Sequence, residues 1–220
     1  MSQLPDAITI AVANTRLTLL PQRAIWWAEQ KTLFVADVHL GKDATFGQIH
    51  LHLENRQTAD TLHRLTHLIH TYNAEKLVIL GDWIHAERGL TQTTIQQLND
   101  WYDAHRAVKI TLVMGNHDSR IRNLPAGENM AIVGEPYALA PFNCWHHPHN
   151  ASDGYHLCGH LHPNIALRGK GRQQLTLPCF WQQANSIILP AFTTFSGKVA
   201  IRASASDHVY ALTEQGIIRV

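Results

Sequence analysis

Five short motifs rich in aspartate, asparagine and histidine are spread along the chain, and these residue types bind divalent metal ions. In chain order the motifs are Asp37-Val38-His39, Gly81-Asp82, Gly115-Asn116-His117-Asp118, Trp145-His146-His147-Pro148 and Gly159-His160-Leu161-His162. Histidine is unusually frequent, with 16 copies in 220 residues. A mixture of imidazole and oxygen ligands suits manganese, iron or zinc better than magnesium or calcium. The sequence therefore predicts a metal centre assembled from distant parts of the chain.

The spacing within the first and last motifs favours paired ligands. Asp37 and His39 are separated by one residue, and so are His160 and His162. On an extended segment, two side chains with this spacing point to the same side. We therefore expect each pair to present two ligands to the same place.

The remaining motifs supply groups that can join two metal ions. The carboxylate of Asp82 has two oxygen atoms and can bridge two cations, while the amide of Asn116 offers a neutral oxygen. His146 or His147 adds a further imidazole, and the two histidines are alternatives for that ligand. Two divalent ions about 3.5–4 Å apart can clamp a phosphoryl group and activate a water molecule between them. The residue types thus indicate metal-assisted phosphoryl chemistry.

Three of the motifs follow directly after short apolar runs. The runs are Leu33–Ala36, Leu77–Leu80 and Ile110–Met114, and they lead into the first, second and third motif respectively. Continuous aliphatic runs of this length are typical of strands covered on both faces. Ligands of open α/β sheets bind outside the carboxyl ends of the strands. One such motif alone is explained by a helix cap or a turn, but three strand ends together favour one shared site.

Predicted strands and helices alternate in the N-terminal half of the chain, whereas the C-terminal half contains mainly short predicted strands. Apolar residues recur at helical spacing over residues 59–69 and 95–102, which predicts helices between parallel strands. Residues 8–20 predict additional strands. After Met130 the apolar runs are short, at residues 131–133, 142–145, 155–158, 174–177, 187–189 and 209–212, which predicts mixed or antiparallel strands. We expect an α/β (α+β) fold, a single domain over residues 1–220 with two packed β-sheets flanked by helices.

Composition narrows the class of protein. The formal net charge is +1, so any surface that binds nucleic acid must be local. The cysteines Cys144, Cys158 and Cys179 are widely spaced and form no Cys-x-x-Cys pair, which argues against a disulfide framework. No apolar run approaches the ~20 residues of a membrane helix, and the N-terminus lacks a basic-then-apolar signal. We expect a cytoplasmic protein without a membrane partner.

The ordered set of motifs resembles the calcineurin-like metallophosphoesterases, over residues 37–162. The resemblance implies a β-sandwich flanked by helices and a centre with two divalent ions, manganese first, with iron or zinc as alternatives. It implies that one ion is held by Asp37, His39, Asp82 and His162. It implies that the other ion is held by Asp82, Asn116, His146 and His160. By the same resemblance, His117 lies just outside the ions and stabilises or protonates the leaving oxygen.

A narrower resemblance extends over roughly residues 20–200. The segments Ala36-Asp37-Val38-His39-Leu40-Gly41-Lys42, Gly159-His160-Leu161-His162-Pro163, Leu177-Pro178-Cys179-Phe180 and Leu189-Pro190-Ala191-Phe192 are similar to the bacterial DNA-ligase-associated DNA-repair metallophosphoesterases. This implies a manganese-dependent DNA endonuclease or phosphodiesterase, with repair ligases, helicases or nucleases as partners. The chain departs from the pattern in two places. Residues 47–53 replace an expected arginine and a loop containing glycine and proline, and Thr193 stands where glycine is more usual. We expect neither departure to touch a proposed ligand.

Five further residues are candidates for contacts with the substrate. Lys42 follows the first metal pair and can approach a phosphate, although a salt bridge explains it equally well. His85 lies three residues after Asp82 and has a surface role as its alternative. The candidates Arg168, Lys170 and Arg172 form a glycine-spaced basic loop soon after the last motif. Such a loop suits contact with a nucleic-acid backbone, or is a solvated turn.

Three hypotheses for the function follow from these features. The first is a metal-dependent phosphodiesterase acting on DNA through a metal-bridging water. The second is a phosphoesterase on the same fold that acts on a small molecule or a cyclic nucleotide, because a fold does not fix a substrate. The third is a non-catalytic scaffold for repair proteins, against which the complete ligand set argues.

Overall fold

A computed structural model describes residues 6–43, 56–149, 152–169, 174–194, 197 and 199–220. The first strands are β1 (Ile8–Val12), β2 (Thr15–Leu20), β3 (Ala24–Trp27), β4 (Thr32–Val35), β5 (Lys76–Leu80), β6 (Lys109–Val113) and β7 (Met130–Val133). They are followed by β8 (Tyr137–Leu139), β9 (Phe142–Trp145), β10 (Tyr155–Cys158), β11 (Pro163–Arg168), β12 (Gln174–Gln182), β13 (Ser186–Ile188), β14 (Val199–Ala200), β15 (His208–Thr213) and β16 (Gly216–Arg219). The α-helices of the described residues with both ends defined are α1 (Arg56–Tyr72) and α2 (Gln92–Ala104).

The first sheet contains the three apolar runs that precede the motifs. Its strand order is β1-β2-β3-β4-β5-β6-β7. The pairs from β1 to β4 are antiparallel, and the pairs from β4 to β7 are parallel. Helix α1 connects β4 to β5, and helix α2 connects β5 to β6. The predicted alternation of parallel strands and helices is therefore confirmed.

The second sheet is mixed, as the short runs of the C-terminal half predict. Its strand order is β14-β11-β12-β13-β10-β9-β8, and β15 and β16 extend from β12. Strands β9, β10 and β13 run parallel, while β11, β12 and β15 pair antiparallel. Strands β3, β8, β11, β14 and β16 were not predicted. They are short or contain polar residues, so their pairing partners define them more than their own sequence does.

The continuous apolar runs are explained by burial on both faces of the first sheet. In β4, Leu33 and Val35 pack with the helices, whereas Phe34 faces the second sheet. The rings of Trp27 and Phe142 lie 5.2 Å apart in an edge-to-face arrangement, which joins the two sheets. Successive side chains of a strand alternate between faces, so an apolar residue is required at every position.

Residues from both halves of the sequence share the core between the sheets. That cluster contains Phe34 and Val78 from the first sheet with Leu157 and Phe180 from the second. The shared core supports the single-domain organisation, which stays a prediction. The three cysteines are buried and unpaired, in agreement with the absence of a disulfide framework. In the part of the chain described above, no helix is long and apolar enough to cross a membrane.

Candidate metal centre

The motif residues converge because both sheets place the carboxyl ends of their parallel strands at one edge. Asp37 follows the end of β4, Asp82 follows β5, and Asn116 follows β6. These strands are parallel and in register. From the second sheet, His146 follows the end of β9 and His160 follows the end of β10, which pairs parallel with β9. The loops of the two packed sheets thus meet at one edge of the molecule.

The backbone at five of the candidate ligands is left-handed. The φ angles are 53° at Asp37, 52° at His39, 54° at Asp82, 72° at His160 and 47° at His162. The assumption of an extended segment for the Asp-x-His and His-x-His pairs was therefore wrong. Positive φ is uncommon for residues other than glycine and is concentrated at functional sites. The paired ligands come together through these tight loops, not through strand alternation.

Two motif glycines allow this close approach. Gly81 has a φ angle of 78°, and a Cβ atom placed on it would overlap the imidazole of His146. A Cβ atom on Gly115 would overlap the carboxylate of Asp82. The glycine in each motif is thus required because a neighbouring candidate ligand occupies the space of a side chain.

One group of possible ligands gathers around the first motif. The carboxylate of Asp37 accepts hydrogen bonds from the main-chain N–H of His160, with distances of 2.9 and 3.1 Å to its two oxygens. The Nε2 atom of His162 lies 3.3 Å from Asp37 Oδ1 and 3.4 Å from His39 Nε2. The Nε2 atom of His39 is 3.8 Å from Asp82 Oδ2. The ligand atoms of Asp37, His39 and His162 can therefore reach one ion.

The second group surrounds His146, which is fully buried. Its Nδ1 atom lies 3.0 Å from the main-chain oxygen of Leu80, which can only accept a hydrogen bond. A neutral ring therefore has its proton on Nδ1 and a lone pair on Nε2. That Nε2 atom lies 2.9 Å from Asn116 Oδ1, 3.1 Å from His160 Nδ1 and 3.5 Å from Asp82 Oδ1. Several lone pairs thus face one another, and a cation is the group that satisfies them together.

Burial shifts the pKa of His39, His160 and Asp82. Burial, together with the neighbouring His162 and His117, lowers the pKa of His39 to about 2. Burial likewise lowers the pKa of His160. Imidazole binds metals in its neutral form, which these shifts favour. Burial raises the pKa of Asp82, because its negative charge has lost water, and a bound cation would replace that lost stabilisation.

Asp118 holds two of the loops together, a role that the sequence analysis missed. Its Oδ2 atom accepts the N–H of Gly115 at 3.1 Å and that of Trp83 at 3.3 Å. Its Oδ1 atom accepts the N–H of Ile84 at 3.0 Å. Burial raises the pKa of this carboxyl group. The sequence signal for this role was the second acidic residue of the Gly-Asn-His-Asp motif. In the structure it is buried between the loops that follow β5 and β6.

His117 lies beside the two groups of possible ligands. Its main-chain N–H donates to Asp82 Oδ1 at 2.9 Å, and its Nδ1 atom lies 2.5 Å from the main-chain oxygen of His85. The Nε2 atom is 3.9 Å from Asp82 Oδ2. The rings of His85 and His117 stack with centroids 5.0 Å apart. Because Nδ1 is engaged by a carbonyl oxygen, Nε2 is the atom available to exchange a proton.

His146 and His147 have different surroundings. Both follow the end of β9 at Trp145. The side chain of His147 is 46% exposed, and its Nδ1 atom lies 2.7 Å from Glu135 Oε1. The ligand atoms of His146, His147 and His160 all lie within 4.8 Å of one another. His146 as the ligand stays a prediction, supported by its burial and its contact with Asn116.

The structure describes three of the five substrate candidates, Lys42, His85 and Arg168. Lys42 and His85 lie near His39, and burial lowers the pKa of both the lysine and His85, the latter to about 4. Arg168 is exposed at the end of β11. Lys170, Arg172 and the departure at residues 47–53 lie outside the described residues.

The departure at Thr193 does touch a proposed ligand, so the expectation of no contact was wrong. Thr193 is fully buried, and its main-chain N–H donates to the carbonyl oxygen of Asp37 at 3.3 Å. The next residue back, Phe192, donates its N–H to Ala36 at 2.7 Å. This segment of the second half therefore supports the loop that contains Asp37.

Comparisons with known proteins concern the family and the fold of the chain. The model of the calcineurin-like phosphoesterase family matches residues 30–190. The crystal structure of nuclease MPE from Pseudomonas putida is 33% identical in sequence with a TM-score of 0.84, and the match covers 98% of this chain and 100% of that chain. Yfce, a phosphoesterase from E. coli, is 18% identical with a TM-score of 0.41, over 86% of this chain and 97% of that chain. No curated protein sequence matches the chain significantly.

We predict that Asp82→Asn lowers the metal content of the protein. The substitution keeps the shape of the side chain but removes the negative charge placed between both groups of ligands. Elemental analysis after dialysis against limiting Mn²⁺ measures the ions retained per chain. Asp103→Asn is the matched control, because Asp103 is exposed and pairs only with Arg106 among the described ion pairs. Full metal content in Asp82→Asn would mean that Asp82 does not bridge.

We predict that His146→Ala lowers phosphoesterase activity far more than His147→Ala. His146 is buried against Asn116 and Asp82, whereas His147 is half exposed and bonded to Glu135. Rates for both variants are compared at saturating Mn²⁺, with circular dichroism as the check on folding. The opposite ranking would assign the imidazole ligand to His147.

Proposed function

Because the chain belongs to the calcineurin-like phosphoesterase family, we propose that this metal-dependent phosphoesterase hydrolyses phosphodiester bonds of DNA, as an endonuclease or phosphodiesterase in DNA repair. The observation that supports a nucleic-acid substrate is the likeness to the Pseudomonas putida nuclease over 98% of the chain. The observation that supports metal-dependent chemistry is the convergence of carboxylate, amide and imidazole groups in one cleft.

The proposed centre holds two divalent ions, with manganese preferred and iron or zinc as alternatives. The residues proposed for one ion are Asp37, His39, Asp82 and His162. The residues proposed for the other ion are Asp82, Asn116, His146 and His160. When bound, such ions polarise the phosphoryl group and supply an activated water as the nucleophile. Imidazole ligands favour these metals over magnesium and calcium.

His117 is the residue proposed to give a proton to the leaving oxygen. Its Nδ1 atom is engaged by the main-chain oxygen of His85, so the ring has a fixed orientation. Its side chain is 30% exposed, whereas the carboxylate of Asp82 beside it is almost completely buried. His117 thus lies between the buried groups and the solvent, where a leaving oxygen departs.

The exposed residues of the β11–β12 hairpin support contact with a DNA strand beyond the cleaved bond. Strand β11 begins directly after His162 and ends at Arg168, which is exposed. On the partner strand β12, Leu175 is 57% exposed. Six residues of strand span roughly 20 Å, enough to reach flanking phosphates. We propose that Arg168 contacts the backbone there with Lys170 and Arg172, while Lys42 and His85 contact the phosphate nearer the centre.

The alternatives differ in what they require of the same cleft. A phosphoesterase acting on a small molecule or a cyclic nucleotide uses the same ligands, because the fold does not fix the substrate. A scaffold for repair proteins requires no ligand set, so the buried convergence of Asp37, Asp82 and His146 argues against it. Association with a repair ligase, helicase or nuclease, and a cytoplasmic location, stay predictions from the sequence.

We predict that chelation abolishes hydrolysis and that Mn²⁺ restores it better than Ca²⁺. The assay compares circular single-stranded DNA, plasmid duplex, a nitrophenyl phosphodiester, a nitrophenyl phosphomonoester and a cyclic nucleotide. Cleavage of circular DNA is expected, since an endonuclease needs no free end. Full activity after exhaustive chelation would exclude the two-metal mechanism. Hydrolysis restricted to the monoester or the cyclic nucleotide would support the small-molecule alternative, and absence of both metal and activity would support the scaffold.

We predict that His117→Ala reduces DNA cleavage much more than hydrolysis of a nitrophenyl phosphodiester. A deoxyribose alkoxide needs a proton to leave, whereas a nitrophenolate leaves without one. General acid catalysis contributes about 10²–10⁴-fold, so the loss on DNA should fall in that range. Metal content, measured on the same preparation, should stay near that of the unmodified protein. Equal losses on both substrates would remove the general-acid role.

A further inference from the structure

Glu135 makes three hydrogen bonds to two consecutive residues at the edge of the candidate metal centre. Its Oε2 atom accepts the main-chain N–H of His146 at 2.8 Å and that of His147 at 3.0 Å. Its Oε1 atom lies 2.7 Å from His147 Nδ1. The side chain of Glu135 is 26% exposed, so it lies mostly within the protein. None of the motifs contains this residue.

The position of Glu135 connects the two sheets. It lies between β7, the last strand of the first sheet, and β8, an edge strand of the second. The histidines that it holds follow β9 of the second sheet. His146 has two further contacts that fix it. Its Nδ1 atom lies 3.0 Å from the main-chain oxygen of Leu80 in the first sheet, and its carbonyl accepts the N–H of Gly159, in the loop after β10, at 3.0 Å.

We propose that Glu135 is a positioning residue for the metal centre, which fixes His146 so that its Nε2 atom faces the other ligands. This inference rests on the proposed function, since it assumes that His146 binds an ion. Two adjacent N–H groups converge on one carboxylate oxygen, an arrangement that holds a short segment in a single conformation. Without Glu135, the His146 N–H, which belongs to a fully buried residue, loses its acceptor.

The inference assigns the positioning of His146 to the hydrogen bonds that Glu135 accepts from the main-chain N–H groups of His146 and His147. The contact of Glu135 with the His147 ring has no part in it. Glu135→Gln keeps a side-chain oxygen that can accept both N–H groups, whereas Glu135→Ala removes it. His147→Ala removes the ring and leaves both main-chain N–H groups in place. These variants therefore separate fixation of the backbone from orientation of the His147 side chain.

The experiment measures Mn²⁺ affinity of the full chain, by titration with detection of free Mn²⁺ by electron paramagnetic resonance. Loss of an outer partner of a metal ligand weakens metal binding by about 10–100-fold. We expect that loss for one of the two ions in Glu135→Ala, and changes below about threefold in Glu135→Gln and His147→Ala. Glu128→Ala is the matched control, since Glu128 is exposed and lies before β7, at the opposite end of that strand from Glu135.

The outcomes separate this inference from the proposed function. If the unmodified protein binds no Mn²⁺, the proposed function fails and Glu135 has no ion to position. If it binds two ions and Glu135→Ala binds them with unchanged affinity, the inference alone is overturned. The inference is also overturned if Glu135→Gln or His147→Ala loses as much affinity as Glu135→Ala. Thermal melting of the metal-free proteins checks folding, and a variant as stable as the unmodified chain with weaker Mn²⁺ binding supports positioning.

Discussion

The arrangement of this protein depends on one constraint, the close approach of lone pairs where the loops of the two sheets meet. The Nε2 atom of His146 faces the Asn116 oxygen at 2.9 Å, and two further imidazoles, those of His39 and His162, face each other at 3.4 Å. Buried acceptors at these distances repel one another unless a proton or a cation lies between them. The loops around them must therefore be rigid, and the rest of the structure supplies that rigidity.

Rigidity comes from several elements that are distant in sequence. Asp118 binds the loops after β5 and β6, and Glu135 binds the segment after β9. The segment at Thr193 supports the loop of Asp37 through main-chain hydrogen bonds. Left-handed backbone conformations at Asp37 and Asp82 cost free energy, on the order of 1–3 kcal/mol each, and persist because such contacts fix them. The packing of the two sheets thus stabilises a centre that is locally unfavourable.

Under the proposed function, the choice of substrate depends on residues outside the centre. The groups proposed to hold ions lie at the strand ends, where Asp37, Asp82 and His146 are buried. Arg168 and Leu175 are exposed on the β11–β12 hairpin, which begins at the last ligand. A phosphoester needs the centre, but a long strand also needs contacts some distance away. The likeness to the Pseudomonas putida nuclease covers both the centre and this hairpin, since it extends over 98% of the chain.

The sequence by itself determined the family, the parallel strands β4, β5 and β6, and the residue types of the centre. Strands covered on both faces require unbroken apolar runs, and the motifs directly follow them, so both signals are local. The tertiary structure decided the left-handed loops, the different surroundings of His146 and His147, the contact of Thr193 with Asp37, and the roles of Asp118 and Glu135. Each of these depends on hydrogen bonds between groups far apart in the chain, and no local pattern of residue types records which main-chain N–H groups a buried carboxylate will meet.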